Sequence, residues 1–244
     1  MKVLSKQPRY WAIIPAAGLG LRMGADRPKQ YLTIHDKTIL SYAVDCLTRF
    51  HLIEKVIVVL HADDMYWSQH NFQHGDKILT TVGGQTRAQS VLHGLQCLEE
   101  SAAFNDWVCV HDAVRPCLQQ ELLKNLVKQL RDHPVGGLLG VPISDTLKIT
   151  DDNGVIIKTL SRERVWQAQT PQLFRFGLLF DALKKALHDG AIITDEASAI
   201  EYVGKSAQMV FGSECNIKIT RQTDLVLAES ILSSVDLTAV MEKK

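Results

Sequence analysis

The chain has 244 residues, of which 46% are hydrophobic, a length and content that suit one large α/β domain with an ample core. Lysine and arginine together number 27, as do aspartate and glutamate, so no overall field draws the protein to nucleic acid or to an anionic membrane. The five cysteines are scattered, odd in number and without C-x-x-C spacing, which indicates reduced thiols in a cytoplasmic protein.

A short apolar strand, residues 11–15, runs into a glycine-rich loop near the beginning of the chain. The apolar run after the basic leader 1–9 is too short for a signal peptide or a membrane span. The loop, residues 16–24, contains Arg22, and Lys29 follows it. Small residues let backbone N–H groups approach phosphate oxygens, and the two cations add charge. The segment therefore predicts a site for a nucleoside triphosphate.

The loop differs from two other glycine-rich phosphate loops. A dinucleotide fingerprint reads G-x-G-x-x-G and needs an acidic residue about 20 residues later. Here three residues separate Gly20 from Gly24, and nothing acidic closes a following strand at that place. A P-loop ends in Gly-Lys-Ser/Thr, whereas this loop ends in Arg-Met-Gly. A tight turn without a ligand remains the structural alternative, and the two flanking cations weigh against it.

Strand and helix patterns then alternate, which predicts a Rossmann-like, mostly parallel sheet with helices on both faces. Continuous apolar runs are typical of strands buried on both faces, and apolar residues at helical spacing predict the helices between them. The predicted strands are 55–60, 78–82, 107–111 and 137–141, and the predicted helices are 39–50, 91–98, 122–130, 176–188, 196–203 and 224–233.

The pattern changes at residues 146–160. Two alternating segments, 146–150 and 155–160, flank an Asp-Asp-Asn-Gly turn, which predicts a β-hairpin that projects from the main sheet. An isolated hairpin is only marginally stable in water. We therefore expect it to pack on its own domain or on a second subunit.

Ligands of open α/β sheets bind beyond the carboxyl ends of the strands, and three loops of this chain leave strands there with suggestive residues. They are the glycine-rich loop, the segment 83–90 and the segment 112–116. Mg²⁺ is commonly held by one or two carboxylates together with phosphate oxygens, and Asp112, at the end of a buried strand, suits that role. A structural cap or an ion pair with Arg115 is the alternative. The segment 83–90 could equally be a plain turn and a helix start.

Three further segments have a structural interpretation beside the functional one. Thr194 and two acidic residues precede a helical pattern, which suits a helix N-cap at least as well as a phosphate site. The alternation over 216–220 predicts a half-exposed strand with Lys218 and its i±2 neighbours on one face. Arg162 and Arg164 follow the hairpin, where a solvated pair of charges is the default.

Several motifs occur in an order that resembles a known family. The first, Ala16-Ala17-Gly18 through Arg22 with Pro28-Lys29-Gln30-Tyr31, resembles the signature of the sugar-nucleotide and isoprenoid nucleotidyltransferases. The later motifs are similar to those of the 2-C-methyl-D-erythritol 4-phosphate cytidylyltransferase family: His111-Asp112-Ala113, Arg115-Pro116, Asp145-Thr146, Gln169-Thr170-Pro171-Gln172, Thr194-Asp195-Glu196-Ala197 and Asn216-Ile217-Lys218-Ile219-Thr220. The likeness extends over residues 11–229.

The resemblance implies a reaction that joins methylerythritol phosphate to CTP. The acceptor phosphate attacks the α-phosphorus in line, giving 4-diphosphocytidyl-2-C-methyl-D-erythritol and pyrophosphate. Such a transfer needs positioning and charge neutralisation more than covalent chemistry. The resemblance also implies Mg²⁺ as cofactor, one nucleotidyltransferase domain over 1–244, and a homodimer formed through the hairpin arm, residues 144–165. It implies no nucleic-acid or membrane partner.

The same resemblance implies a role for individual residues. Catalytic charge would come from Lys29, Arg22 and Lys218, and Asp112 would bind the metal. The nucleotide would be surrounded by Ala16, Ala17, Gly18, Gly84, Gln85, Ser90 and Ala113. Methylerythritol phosphate would be received by Thr146, Arg162, Thr194 and Arg115, with Thr146 and Arg162 serving the neighbouring subunit.

Two positions depart from the family pattern, and three other functions remain open. Val114 stands where alanine is expected, and Cys215 stands where a polar residue is common. A ribitol 5-phosphate cytidylyltransferase would share the fold and the loop. A catalytically silent nucleotide-binding protein would be expected to lose Lys29, Asp112 or Lys218, and all three remain. A nicotinamide dehydrogenase is disfavoured by the loop spacing.

Overall fold

A seven-stranded sheet forms the centre of the fold in the computed structural model, which describes residues 7–18 and 27–241, with side chains through 234. The sheet has the order β11-β7-β10-β6-β1-β4-β5, and two small two-stranded sheets accompany it. The strands are β1 (Tyr10–Pro15), β2 (Thr33–Ile34), β3 (Lys37–Thr38), β4 (Ile53–Leu60), β5 (Ile78–Val82), β6 (Trp107–Val110), β7 (Gly136–Pro142), β8 (Leu147–Thr150), β9 (Ile156–Leu160), β10 (Trp166–Arg175) and β11 (Gln208–Phe211).

The six predicted helices are confirmed, but the second begins four residues before the predicted 91 and the last extends eight residues beyond the predicted 233. They are α1 (Ile39–Arg49), α2 (Arg87–Gln96), α3 (Gln120–Leu130), α4 (Phe176–His188), α5 (Glu196–Tyr202) and α6 (Gln222–Met241). Thr38 caps α1, and Thr86 with Gln89 forms a capping box that begins α2. Across the described ranges, no helix has the length and apolar character that crossing a membrane requires.

The mostly parallel sheet is confirmed, with one antiparallel strand that the sequence did not reveal. Strands β1, β4, β5 and β6 pair in parallel, and so do β7 and β11. Strand β10 runs antiparallel to both β6 and β7. It contains Pro171, and a proline within an apolar run argues against a central strand. The register of β10 shifts between Ala168 and Gln172, the stretch in which this proline lies.

Two apolar layers cover the sheet. On one face, Leu40, Val44 and Leu47 of α1 pack with the buried leucines of α3. On the other face, the apolar residues of α2, α4 and α5 pack against β1, β6 and β10. Because both faces are covered, the central strands bury nearly every side chain, which explains their continuous apolar sequences. The carboxyl ends of β1, β5 and β6 therefore lie at one edge that the layers leave open.

The predicted hairpin is confirmed as a separate ribbon. Strands β8 and β9 pair only with each other in the sheet assignments, from Leu147 opposite Leu160 to Thr150 opposite Ile156. Val155 is 62% exposed and Ile157 64% exposed, so the ribbon carries apolar side chains on its surface. An exposed apolar ribbon is typical of a segment that packs on a partner.

The predicted strand over 216–220 is wrong. The segment follows β11 and joins no sheet among the described residues. Asn216 and Ile219 are fully buried whereas Lys218 is exposed, so Lys218 and Asn216 do not share one face. The segment is held instead by single hydrogen bonds to neighbouring loops. In one of them, the Ile219 N–H donates to the Val114 carbonyl at 2.9 Å, an ordinary distance for a backbone pair.

Candidate active site

The loop after β1 begins at the open edge of the sheet and is held from below by one glutamine. The Gln30 side chain donates from Nε2 to the carbonyl of Ala16 at 2.8 Å and to that of Gly18 at 3.0 Å. Gln30 is 4% exposed, and it lies in the short 3-10 turn Lys29–Tyr31. Its buried amide therefore ties the beginning of the glycine-rich loop to the turn that carries Lys29. Arg22 lies outside the described residues.

The loop after β5 packs closely against the first loop. A Cβ atom on Gly83 would come 2.5 Å from the Ala17 Cβ and 2.7 Å from the Ser90 Oγ, so only glycine fits there. The Ser90 hydroxyl accepts from the Gly84 N–H at 3.2 Å and donates to the Thr86 carbonyl at 3.0 Å. The structure thus places the two predicted nucleotide loops side by side, with the Ser90 hydroxyl engaged inside its own loop.

The predicted nucleotide residues divide into exposed and buried ones. Gly18 and Gln85 are exposed, and Ala17 and Gly84 are half-buried. Ala16 and Ala113 are buried in the core layer beneath the edge, and Ser90 is buried as well. The first set can line a surface for a ligand, whereas the second set supports that surface from behind.

Asp112 is the centre of a cluster of cations two residues beyond β6. Its Oδ1 lies 3.1 Å from both Nε and Nη2 of Arg87. Its Oδ2 lies 2.8 Å from Nζ of Lys218 and 3.6 Å from Nε of Arg115. Burial alone would raise the pKa of Asp112, but the charges of Arg87 and Lys218 outweigh burial and hold this pKa below its usual value. The carboxylate is therefore ionised at neutral pH.

Glu196 closes the other side of this cluster. Its Oε1 lies 2.6 Å from Nη1 of Arg87, and its Oε2 accepts from Nη2 at 3.2 Å, so Arg87 bridges two carboxylates. Burial raises the pKa of Glu196, although the charge of Arg87 opposes the shift. The sequence analysis gave neither Arg87 nor Glu196 a role in the site. A cation in the first turn of a helix was the available signal, because the helix dipole disfavours it unless an acidic partner is near.

A buried hydrogen-bond chain supports Asp112 from below. The Thr170 Oγ1 accepts from the Asp112 N–H at 3.0 Å and lies 3.0 Å from Nδ1 of His111. The other ring nitrogen of His111 lies 3.1 Å from the Arg115 carbonyl, which can only accept, so Nε2 carries the proton. Burial lowers the pKa of His111 to about 4, and the ring is neutral at physiological pH. His111 thus holds the loop and has no lone pair left for catalysis.

The segment 216–220 brings the two catalytic lysines of the prediction to one place. Nζ of Lys29 donates to the carbonyl of Ile219 at 3.3 Å, beside Lys218 in the chain. The Asn216 side chain donates to the Thr170 carbonyl at 2.8 Å, and Arg115 donates to the Asn216 carbonyl at 2.7 Å. Hydrogen bonds therefore fix the segment to the Asp112 loop. Lys218 of the segment contacts Asp112 directly, and Lys29 is bonded to the next residue, Ile219.

The four residues predicted for the acceptor occupy different surroundings. Arg115 is buried within the Asp112 cluster, whereas Thr146, Arg162 and Thr194 are exposed. Arg162 donates to the carbonyl of Ser144, at the base of its own hairpin. The N-cap of α5 is Asp195, whose side chain accepts from the Ser198 N–H, so the predicted N-cap lies one residue after Thr194. In this single chain only Arg115 belongs to the cluster.

The two departures from the family pattern lie away from the ionic contacts. Val114 packs in a small apolar cluster with Ile39 and Ile219, below the Asp112 loop. Cys215 is exposed, and its backbone N–H donates to the Ser213 hydroxyl. Neither side chain interrupts the contacts of Asp112.

Comparison with known proteins decides the family. The family model for 2-C-methyl-D-erythritol 4-phosphate cytidylyltransferase (IspD) matches residues 10–234. The chain belongs to this family. The resemblance noted in the sequence is confirmed, and with it the prediction of a nucleotidyltransferase.

Individual members of the cytidylyltransferase family match over nearly their whole length. The enzyme of that name from Hahella chejuensis is 44% identical over 94% of this chain and 95% of its own, and that of Pseudomonas putida is 46% identical over 91% and 95%. The crystal structure of the Francisella tularensis enzyme superposes with a TM-score of 0.80 at 36% identity, covering 91% of this chain and 99% of the other. The fold and the family therefore agree.

Proposed function

We propose that the chain transfers a cytidylyl group from CTP to 2-C-methyl-D-erythritol 4-phosphate, in the non-mevalonate route to isoprenoid precursors. The observation that carries the proposal is the ionised Asp112 at the carboxyl edge of the sheet, with Lys218 at 2.8 Å and the turn of Lys29 beside it. Membership of the family supports the choice of CTP and of the acceptor. The site then has charges of both signs where a triphosphate and its metal would lie.

The chemistry follows from what these side chains can supply. An oxygen of the acceptor phosphate attacks the α-phosphorus of CTP, the bond to the bridging oxygen breaks, and pyrophosphate leaves. Both reacting partners are anionic, so the protein must offset repulsion and hold the groups in line. Lys29 and Lys218 stabilise the charge that builds up on the α-phosphate oxygens, and Arg22 holds the triphosphate. No protein nucleophile is required, which agrees with a neutral, hydrogen-bonded His111.

Asp112 is the residue that would hold Mg²⁺. Its ionised carboxylate is a hard oxygen donor, and one carboxylate with phosphate oxygens is a usual ligand set for this ion. Within the described ranges there is no group of three metal-binding side chains, so the ion would be held jointly with the nucleotide. When bound, Mg²⁺ neutralises phosphate charge and polarises the reacting phosphorus. Asp112 fits that role because the charges of Arg87 and Lys218 already keep its carboxylate ionised.

The nucleotide would lie against the two packed loops. Ala17, Gly18, Gly84 and Gln85 form the accessible part, and the buried Ala16, Ser90 and Ala113 shape it from behind. Gly83 packs closely on Ala17, so the two loops would bound the base from adjacent sides, and a tight pocket there would select a pyrimidine over a larger purine. Backbone amides in such loops also suit phosphate oxygens.

The acceptor site includes residues of the hairpin arm in our proposal. Arg115 and Thr194 belong to the subunit that binds CTP, whereas Thr146 and Arg162 reach it from a second copy of the chain. The exposed apolar side chains of β8 and β9 supply a surface for such a homodimer. Five unpaired cysteines support a cytoplasmic location.

Mixed dimers test the crossing arm. We expect Arg162→Ala protein and Lys29→Ala protein, each nearly inactive, to recover about a quarter of wild-type activity after subunit exchange. Half of the exchanged dimers are heterodimers, and each has one site of two with both residues intact. Steady-state pyrophosphate release after mixing measures the recovery.

A second mixture serves as the control. Lys29→Ala and Lys218→Ala alter the same subunit's part of the site, so their heterodimers contain no intact site and should recover nothing. If the mixture with Arg162→Ala also stays inactive while exchange is demonstrated, the arm does not cross.

Turnover with two acceptors tests the function itself. We expect pyrophosphate release with CTP and Mg²⁺ to be strongly faster with methylerythritol phosphate than with ribitol 5-phosphate. The reverse preference would keep the mechanism and change the acceptor. If neither acceptor gave pyrophosphate release while CTP still bound, the chain would be a catalytically silent nucleotide-binding protein.

A further inference from the structure

Arg87 and Glu196 contact the Asp112 cluster but take no part in the transfer described above. Arg87 uses all three of its nitrogens: Nε and Nη2 meet Asp112 Oδ1, and Nη1 and Nη2 meet Glu196. A planar guanidinium can bridge two carboxylates in this way, whereas a lysine ammonium is a single point charge. The arrangement therefore depends on arginine in particular.

The position of Arg87 is unfavourable by local rules. It is the first residue of α2, where the helix dipole repels a cation. Residues that break a local rule in a folded protein are often functional. Here the two carboxylates outweigh the dipole, and Glu196 is 1% exposed, so its pairing with Arg87 is shielded from water.

Glu196 itself is attached to the rigid sheet. It is the first residue of α5, and the adjacent N-cap Asp195 accepts from Nε2 of Gln172 at 2.9 Å. Gln172 also accepts from the Ala197 N–H at 2.9 Å, so this one side chain of β10 is bonded to the residues before and after Glu196. Arg87 is thereby fixed from a strand that pairs directly with β6, the strand that Asp112 follows.

The two oxygens of Asp112 have different surroundings. Oδ1 is held by the forked, anchored Arg87, whereas Oδ2 meets Lys218, whose side chain is 41% exposed. Arg115 lies 3.6 Å from Oδ2, and its buried Nε has no hydrogen-bond partner among the residues that the structure describes. An exposed lysine contact is weak and easily exchanged, whereas breaking a shielded, forked pair is costly.

We propose that Arg87 and Glu196 form a positioning pair, which holds Oδ1 of Asp112 so that Oδ2 is the oxygen offered to a divalent cation. Lys218 is then the exchangeable partner of Oδ2, free to turn toward the phosphates when the cation arrives. This inference rests on the proposed function and adds residues to it that act through Asp112 and do not touch the substrate.

Two variants test the pair. Arg87→Lys keeps the charge and loses the fork, and Glu196→Gln keeps the shape and loses the anchoring charge. For both we expect the half-saturating Mg²⁺ concentration in turnover to rise about 10–100-fold, the usual effect of removing a residue that orients a metal ligand. The KM for methylerythritol phosphate should change by less than about twofold, since neither residue contacts the acceptor.

A second readout does not need turnover. Mn²⁺ binding to the enzyme–CTP complex, followed by electron paramagnetic resonance, should weaken by a similar factor in both variants. Arg9→Lys is the matched control, because Arg9 pairs with the buried Asp106 at 3.3 Å and its side chain has the same 28% exposure as Arg87. The control should lose comparable thermal stability and leave both metal measurements unchanged.

The outcomes separate this inference from the proposed function. Lowered melting temperature with unchanged Mg²⁺ and Mn²⁺ saturation would make the pair purely structural and overturn the inference. If Arg87→Lys does not fold, Glu196→Gln decides by the same criteria. A wild-type protein without turnover would overturn the proposed function, and Mn²⁺ binding in the presence of CTP would still test the pair.

Discussion

An Asp112→Asn variant should lose turnover by on the order of a thousandfold, because the amide cannot replace an anionic metal ligand whose contribution is several kcal/mol. The substitution also leaves Arg87, Lys218 and Arg115 around a neutral group. Removing one partner of a buried ionic cluster typically destabilises a protein by about 3–5 kcal/mol. Activity must therefore be measured per folded molecule, with the folded fraction taken from thermal or denaturant unfolding.

Asp106→Asn separates the two effects of that substitution. Asp106 immediately precedes β6, whereas Asp112 follows it, and both side chains are almost fully buried. Asp106 accepts from the Arg9 and Ala103 N–H groups and from the Trp11 indole, each at 3.0 Å. Its loss should cost about 1–3 kcal/mol of stability and leave turnover per folded molecule unchanged. If Asp112→Asn and Asp106→Asn had equal turnover per folded molecule, Asp112 would have no role in the reaction.

A Lys29→Ala variant should lower kcat by about 10²–10³-fold while CTP binding weakens far less, since preorganised charge acts mainly where charge develops in the transition state. The structure supports this because Lys29 is half-buried in a short turn whose Gln30 also ties down the glycine-rich loop. Its amino group lies at the Ile219 carbonyl, next to Lys218. Single-turnover rates and CTP titration calorimetry measure the two quantities separately.

Lys77→Ala is the matched control for that lysine. Lys77 also donates to backbone carbonyls, those of Thr48 and Ile53 at 3.1 and 2.9 Å, and it lies in the 3-10 turn before β5, at the opposite end of that strand from Gly83. Its loss should change stability and leave kcat and CTP affinity as in the wild type. Equal losses in CTP binding and in turnover for Lys29→Ala would show uniform binding and refute a transition-state role.

Much of the fold follows from periodicity. Helix α4 begins and ends at the predicted residues 176 and 188, because its apolar spacing is regular over three turns. Strand β10 was not predicted, because a polar motif with Pro171 precedes its apolar residues Leu173 and Phe174 and leaves no continuous apolar run. The prediction for segment 216–220 failed in the opposite way, because a strand was predicted and none is present there. Polar and apolar residues alternate there, but the buried residues Asn216 and Ile219 are three positions apart, because single hydrogen bonds to Thr170 and Val114 hold the segment in place of a strand partner.

In the candidate site too, some residues could be predicted from the sequence and others could not. Asp112 and Lys29 could be proposed from the sequence, because they belong to loops after predicted strands whose ends share one edge of a parallel sheet. Lys218 could be proposed only from its place in a family motif. The pairing of Arg87 with Glu196 could not be proposed, since the two residues lie 109 positions apart, although a cation in the first turn of α2 was a local sign of a nearby acidic partner. Their pairing exists only because β10 brings α5 beside the beginning of α2.

The sequence by itself determined the alternating α/β fold, the family and the chemical type of the site, since each depends on local patterns and on motifs in order. The tertiary structure alone decided which carboxylate oxygen of Asp112 contacts Arg87, which of the surrounding cations is exposed to solvent and which histidine is neutral. Those properties arise from burial and from contacts between distant segments, and a side chain's charge and hydrogen bonds are set by the groups that surround it in space.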